Sequence, residues 1–98
     1  MPPVPRPPTF QPAGSEWLEL ARPHLESDPE RARALLERGR DELPESAAIP
    51  YGFALLAAAQ DRTEEALASL RDAIAREPLL RAEAERDELL APLVTRLR

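Results

Sequence analysis

Two stretches of this chain repeat the same pattern at a spacing of 34 residues, and this spacing is the strongest constraint on its fold. Three pairs of residues keep the spacing: Ala32 and Ala66, Leu36 and Leu70, and Pro44 and Pro78. One further position holds a small residue in both copies, Gly39 in the first and Ala73 in the second. A repeat of this length is typical of architectures in which similar units stack along the chain, so we interpret the sequence first as a tandem array.

Each copy has the pattern of an amphipathic helix that ends at a proline. Apolar residues recur every three or four positions in both copies, which places them on one face of a helix. The first helix is predicted over residues 29–42, with either Asp28 or Ser27 as the capping residue at its start. The second is predicted over residues 64–76, with Thr63 as its N-cap.

Helical patterns also flank the two copies. Residues 15–25 carry a broad apolar face, although Pro23 removes one backbone hydrogen bond and should kink or end that helix. Residues 46–60 are apolar on nearly all sides, which indicates a helix buried against several neighbours. Because the turns between successive helices are short, each pair is predicted to form an antiparallel hairpin. A further helix is predicted up to about Arg86, and then a short helix capped by Asp87.

Composition excludes several kinds of site. The chain has 98 residues, a net charge of −5, no cysteine and one histidine, so disulfides, zinc–cysteine sites and thiol catalysis are excluded. All basic residues are arginines with carboxylates close by in sequence, which argues against nucleic acid as a ligand. No apolar run approaches the ~20 residues that cross a bilayer, and residues 1–8 lack the apolar region of a secretory signal. We therefore expect a cytoplasmic protein without cofactor or metal, and without nucleic acid or membrane as a partner.

Residues 1–14 differ from the rest of the chain in composition. Six of the 12 prolines fall in the first 12 residues, so this stretch is predicted to be a disordered tail with polyproline II character. Its two PxxP spacings could dock in an aromatic-lined groove of another protein, although an unbound solubilising tail is the simpler interpretation. A third alternative is that Val4 or Phe10 folds back into the chain's own groove.

The repeated residues resemble those of the tetratricopeptide repeat (TPR) family. Two sets of residues carry the resemblance: Trp17, Leu20, Ala21, His24, Ala32, Leu36 and Pro44 in the first unit, and Pro50, Phe53, Ala54, Ala57, Ala66, Leu70 and Pro78 in the second. They keep the spacing of the family's Trp, Leu, Gly, Tyr, Ala, Phe and Pro, although His24 and Ala57 replace the Tyr and the first unit is one residue short. The segment 51–93 also resembles the closing repeat of many bacterial arrays. The resemblance implies an all-α fold, a TPR-like α-solenoid of tandem antiparallel helical hairpins, with repeats over 15–45 and 46–78 and a capping segment over 79–98.

The same resemblance implies a protein-interaction module without enzymatic activity. The family usually binds a partner protein in a concave groove, which the first helix of each hairpin lines. In this chain those positions are mostly apolar and the sequence has no lysine, so we expect an apolar peptide or helix rather than a chaperone's C-terminal carboxylate. The predicted partner-binding residues are Trp17, Leu18, Ala21, Leu25, Ala48, Tyr51, Gly52, Leu55, Ala58, Ala82 and Glu85, with Leu89 beside them.

Several alternatives stay open at this point. Tyr51 and Leu55 could be buried against adjacent helices instead of lining a groove, because a small domain leaves little groove uncovered. Trp17 could be a core anchor instead of an interface residue, and His24 is interpreted as a packing residue because it has no ligand partner nearby in sequence. The apolar surface could instead pair two copies of the chain in a homodimer. An enzyme and a nucleic-acid-binding helix-turn-helix protein are two further alternatives.

Overall fold

The computed structural model describes residues 14–97, which form helices and turns without a strand. The predicted all-α class is therefore confirmed, while the predicted proline-rich tail lies outside the described residues apart from Gly14. None of the helices in this range is long and apolar enough to cross a membrane, and the cytoplasmic location stays a prediction. The helices are α1 (Ser15–Ala21), followed by a 3-10 turn (Arg22–His24), α2 (Pro29–Glu42), α3 (Ala48–Ala59), α4 (Thr63–Arg76), α5 (Leu80–Arg86) and α6 (Ala91–Val94).

The two longest helices, α2 and α4, begin and end at positions 34 residues apart. Each turns its repeated apolar residues to the core, and four of these are completely buried: Ala32, Leu36, Ala66 and Leu70. An alanine on such a face lets a neighbouring helix approach closely, and the leucine one turn further fills the space beside it. The repeat in the sequence is thus a repeat in the helices and in their buried faces.

The ends of these helices follow from individual residues. Asp28 caps α2, because its side-chain Oδ1 accepts a hydrogen bond from the backbone N–H of Arg31 at 3.2 Å. The predicted N-cap at Thr63 is wrong, since Thr63 is the first helical residue and the chain enters α4 from Arg62. Pro23 ends α1 as predicted, because the helix continues past its last residue only as the 3-10 turn that contains this proline.

The central helix of the fold is α3. It contacts α1, α2 and α4, and it packs most extensively against α4, to which the short turn 60–62 joins it. Most of its side chains are buried, as expected for a helix that is apolar on nearly all sides. The helices therefore form two adjacent pairs, α1 with α2 and α3 with α4, and α3 lies against both helices of the first pair.

The C-terminal segment covers one end of this arrangement. Helices α5 and α6 contact each other and α4. Asp87 lies between them and accepts a hydrogen bond from the backbone N–H of Leu89 at 3.1 Å, but the residues after Asp87 form a turn and α6 begins only at Ala91. The prediction that Asp87 caps the last helix is therefore wrong. Five buried residues of this segment join the common core: Leu80, Ala84, Leu90, Val94 and Leu97.

Gly39 lies where α1, α2 and α3 meet, and the contact requires a residue without a side chain. A Cβ atom on Gly39 would lie 2.6 Å from Cδ1 of Ile49 and 2.7 Å from Cγ of Trp17. Overpacking of this kind costs about 1–3 kcal/mol, which exceeds the roughly 1 kcal/mol that alanine gains over glycine in a helix. We therefore expect Gly39→Ala to lower the free energy of unfolding, although the second copy holds Ala73 at the equivalent position.

Chemical denaturation of the wild type and the Gly39→Ala variant measures this difference. An Ala34→Gly variant is the control, because Ala34 is an exposed residue of the same helix and reports helix propensity alone. A Gly39→Ala chain that is more stable than the wild type would contradict the close contact of the three helices.

Candidate binding groove

The structure buries most of the residues that the sequence predicts on a binding surface. Trp17 and Ala58 are half-buried, and only Ala82 and Glu85, both on α5, are exposed. The other predicted residues are buried: Leu18, Ala21, Leu25, Ala48, Tyr51, Gly52 and Leu55. Tyr51 is 3% exposed and Leu55 is 0% exposed, so both belong to the core and do not form an open apolar wall. This result agrees with the alternative in which the two side chains are buried against adjacent helices.

A polar cluster on this side of α3 explains the burial of Tyr51. Nη1 of Arg22, in the 3-10 turn after α1, lies 3.3 Å from Oδ2 of Asp87, which is 65 residues later in the chain. The Arg22 guanidinium also donates a hydrogen bond to the hydroxyl of Tyr51. The side chain of Asp87 is only 13% exposed. The C-terminal segment therefore reaches across α3 to the first helical pair and covers Tyr51.

The same cluster keeps the Tyr51 hydroxyl protonated. Burial raises the pKa of Tyr51 far above its ordinary value of 10.0, and the negative charges of Asp87 and Glu83 raise it further. Arg22 acts in the opposite direction through its positive charge and its hydrogen bond, but these effects do not outweigh burial. At neutral pH the cluster thus holds an uncharged hydroxyl beside a paired arginine and aspartate.

An opening of about 690 Å³ next to this cluster is lined by two of the residues that the sequence predicts together, Leu25 and Leu89. Charged side chains form most of its rim, and the Arg22–Asp87 ion pair crosses it. Leu25 itself is buried, whereas Leu89 is half-buried and Pro23 is exposed. Nowhere in residues 14–97 do three acidic, histidine or cysteine side chains come together in a way that could hold a metal ion.

A second groove lies on the other face of α3, between α2 and α4. It has a volume of about 430 Å³ and is open to solvent. Helix α3 supplies the floor, where Pro50 and Phe53 are half-buried and the other floor residues are buried. The residues of this α2–α4 groove are Arg33 and Arg40 from α2, Ile49, Pro50, Phe53, Leu56 and Ala57 from α3, Glu65, Ala68, Ser69, Asp72 and Arg76 from α4, and Pro44 and Ser46 at one end.

Opposite charges face each other across the α2–α4 groove. Arg33 and Arg40 belong to the α2 wall, whereas Glu65 and Asp72 belong to the α4 wall, together with Arg76, which is paired with Asp72. The guanidinium carbon of Arg40 lies 5.5 Å from the centroid of the Phe53 ring, a cation–π distance that joins the basic wall to the aromatic floor. A segment with an apolar centre and charges on its flanks complements this surface.

The end of the groove near Pro44 is held by Arg76. Its Nε lies 3.0 Å from Oδ1 of Asp72, and its Nη1 donates a hydrogen bond to the backbone oxygen of Pro44 at 2.9 Å. These contacts tie the C-terminal end of α4 to the loop between α2 and α3. The distance between the two walls is therefore fixed at this end.

The sequence contained one signal for this groove that the predictions did not use. Residues two positions apart on a helix point about 200° apart, so Ile49 and Phe53 face away from Tyr51 and Leu55. Because α3 is apolar on nearly all sides, both of its faces were candidates for a floor. The resemblance selected the face of Tyr51, and the C-terminal segment covers that face.

Comparisons with known proteins do not assign a family. No family model, curated protein or solved structure matches the chain. The function is therefore argued from the geometry of the α2–α4 groove and the residues that form it.

Proposed function

We propose that this chain is a non-enzymatic protein-interaction module, built from TPR-like tandem helical hairpins, that binds an apolar segment of a partner protein in the α2–α4 groove. The observation that carries the proposal is the groove itself, with its apolar floor, two helical walls and a solvent-open side. The 34-residue offset between α2 and α4 supports the tandem-hairpin part of the proposal, because it makes these two walls equivalent helices of successive units.

The charges of the walls indicate what the partner segment contains. Arg33 and Arg40 favour acidic groups on one flank, and Glu65 favours a basic group on the other, where Asp72 is already paired with Arg76. The floor around Phe53 accepts an apolar or aromatic side chain between these flanks. Because the charged groups are at a solvent-exposed rim, binding should weaken as the salt concentration rises.

Substitution of exposed alanines by arginine separates the two candidate surfaces. Ala68 lies on the α4 wall of the groove, so Ala68→Arg fills the groove with a long side chain and adds a positive charge to the wall that carries Glu65. Ala82 is exposed on α5, on the surface that the resemblance predicts. We expect Ala68→Arg to weaken partner binding about tenfold or more, which corresponds to roughly 1.4 kcal/mol, and Ala82→Arg to leave it unchanged.

The measurement is capture of partner proteins on immobilised wild-type chain and on each variant, followed by titration of the captured protein against each chain. Ala34→Arg, at an exposed position of α2 outside the groove, is the control for the added charge. Circular dichroism checks that all variants keep their helices. A partner that binds the Ala68→Arg chain normally and loses binding to the Ala82→Arg chain would place the site on α5 instead.

A second candidate function is self-association through the same groove. In a two-fold dimer with groove against groove, the basic α2 wall of each copy meets the acidic α4 wall of the other. Sedimentation equilibrium distinguishes the two functions. A stable dimer that Ala68→Arg dissociates supports self-association, and a monomer supports the interaction module.

A further inference from the structure

The charges around the α2–α4 groove are not balanced. Its lining contains three arginines and two carboxylates: Arg33, Arg40, Arg76, Glu65 and Asp72. The chain as a whole has a net charge of −5. The groove is therefore a locally basic surface on an acidic protein, and such a surface favours an acidic ligand over a basic one.

Ion pairs within the chain already occupy the acidic side of the groove. Nε of Arg76 lies 3.0 Å from Oδ1 of Asp72, so these two groove charges offset each other. Nη1 of Arg62, which is outside the groove, lies 3.8 Å from Oε2 of Glu65. The α4 wall is consequently close to neutral, and it attracts a basic group only weakly.

The two arginines of the α2 wall are available to a ligand. The exposed side chain of Arg33 makes no ion pair or hydrogen bond with any residue between 14 and 97. Nη2 of Arg40 lies 3.9 Å from Oε2 of Glu37, and the two side chains are 56% and 47% exposed. A solvent-exposed pair of this kind contributes little, so a carboxylate of a ligand can compete for Arg40.

The spacing of these arginines indicates the form of the ligand. Arg33 and Arg40 are seven residues apart, which is two turns and about 10.5 Å along α2, so both lie on the same face. Two carboxylates seven residues apart on a partner helix have the same separation, and a side chain midway between them lies on the same face. The floor beside Arg40 offers this central side chain the half-buried ring of Phe53.

On the basis of the proposed function, we propose that the ligand of the α2–α4 groove is an acidic amphipathic helix of a partner protein. Two of its carboxylates, seven residues apart, pair with Arg33 and Arg40. An apolar side chain between them packs on the floor at Phe53. The arginines of the α2 wall then select the partner by charge, and the floor supplies the apolar contact.

A pair of synthetic peptides tests the chemistry of this ligand. The acidic probe is an alanine-rich helix of about 16 residues with a hydrocarbon staple on its outer face, because an unsupported helix of this length is marginal in water. It carries two glutamates seven residues apart and a phenylalanine midway between them. The control probe has the same length, staple and phenylalanine, but glutamine replaces both glutamates. Fluorescence anisotropy of a dye on each probe measures its affinity for the full chain.

Two variants of the chain test where the acidic probe binds. Arg33→Glu reverses a charge on the groove wall. Arg31→Glu makes the same change at an exposed residue of the same helix that is outside the groove. Circular dichroism checks that both variants keep their helices. The two chains have the same net charge, so a difference between them reports the position of the arginine.

We expect the wild type to bind the acidic probe about fivefold or more tightly than the control probe at about 0.15 M salt. Arg33→Glu should remove this preference, whereas Arg31→Glu should keep it. Equal affinity for the two probes, no binding of the acidic probe, or an equal loss in both variants would overturn the proposal. A dimer of the chain that Arg33→Glu dissociates would assign the groove to a second copy and would also overturn it.

The proposed function and the acidic ligand can fail separately. A captured partner that responds to Ala68→Arg but binds the Arg33→Glu and Arg31→Glu chains equally would keep the groove as the binding site and remove the acidic helix as its ligand. A captured partner that responds to neither Ala68→Arg nor Arg33→Glu would remove both.

Discussion

Replacement of Leu70 by alanine is expected to lower the free energy of unfolding by about 2–5 kcal/mol. Leu70 is completely buried at the contact of α4 with the core, and the substitution leaves a cavity that close-packed neighbours fill only in part. A single domain of this size has a total stability of about 5–15 kcal/mol, so the loss is a large fraction of it. Urea denaturation followed by circular dichroism measures the change.

The equivalent substitution in the first copy tests whether the two copies pack in the same way. Leu36→Ala should cost a similar amount, because Leu36 is 34 residues earlier and is also completely buried. Leu79→Ala is the control, since Leu79 is 59% exposed and its truncation should change stability by no more than about 0.5 kcal/mol. A Leu70→Ala chain as stable as the Leu79→Ala chain would contradict the packing of α4.

Alkaline pH is expected to destabilise the protein through one residue, Tyr51. Its pKa is raised in the folded chain, so above pH 10.0 the unfolded chain loses the phenolic proton while the folded chain keeps it. The stabilising contribution of Tyr51 is therefore complete below pH 10.0 and is lost as the pH rises towards the folded pKa. The free energy of unfolding should fall by about 1.4 kcal/mol per pH unit in this range.

The composition of the chain allows the effect of Tyr51 to be measured separately from that of other side chains. The chain has a single tyrosine, no cysteine and no lysine, and arginine titrates only above about pH 12. A Tyr51→Phe variant should therefore show a free energy of unfolding that hardly changes between pH 10 and about 12. Tyrosinate absorbance gives an independent measurement, because the folded chain should resist ionisation where the urea-unfolded chain ionises. Ionisation of the folded chain near the ordinary pKa would contradict the buried cluster of Tyr51, Arg22 and Asp87.

The sequence predicted the parts of the fold that depend on local pattern. The bounds of α2, its cap at Asp28 and the end of α1 near Pro23 all follow from residues within one helical turn. The cap predicted at Thr63 was wrong because Arg62 already has the conformation of the residue before the helix, and Thr63 then becomes its first residue. Such one-residue differences depend on the turn that precedes a helix, which a periodic pattern does not describe.

The binding surface could not be predicted in the same way, because it depends on contacts between distant parts of the chain. Tyr51 and Leu55 have the same apolar character as Ile49 and Phe53, and nothing in their pattern distinguishes the two faces of α3. The contact between Arg22 and Asp87 determines which face of α3 is covered. It joins residues that are 65 positions apart in the chain. An array of only two helical pairs is short enough for its C-terminal segment to reach the first pair and cover one face.

The proposed function depends on the face of α3 that carries the half-buried Pro50 and Phe53. If the α2–α4 groove binds a partner, the equivalence of its two walls means that the site exists only where two helical units are joined.

Photocross-linking from two positions tests the central claim most directly. A photoreactive amino acid replaces Ala68 on the groove wall in one chain and Ala82 on α5 in another, and the cross-linked partner peptide is identified by mass spectrometry. The account predicts a partner cross-link from position 68 and none from position 82. A partner that cross-links only from position 82 would contradict the assignment of the α2–α4 groove as the binding site.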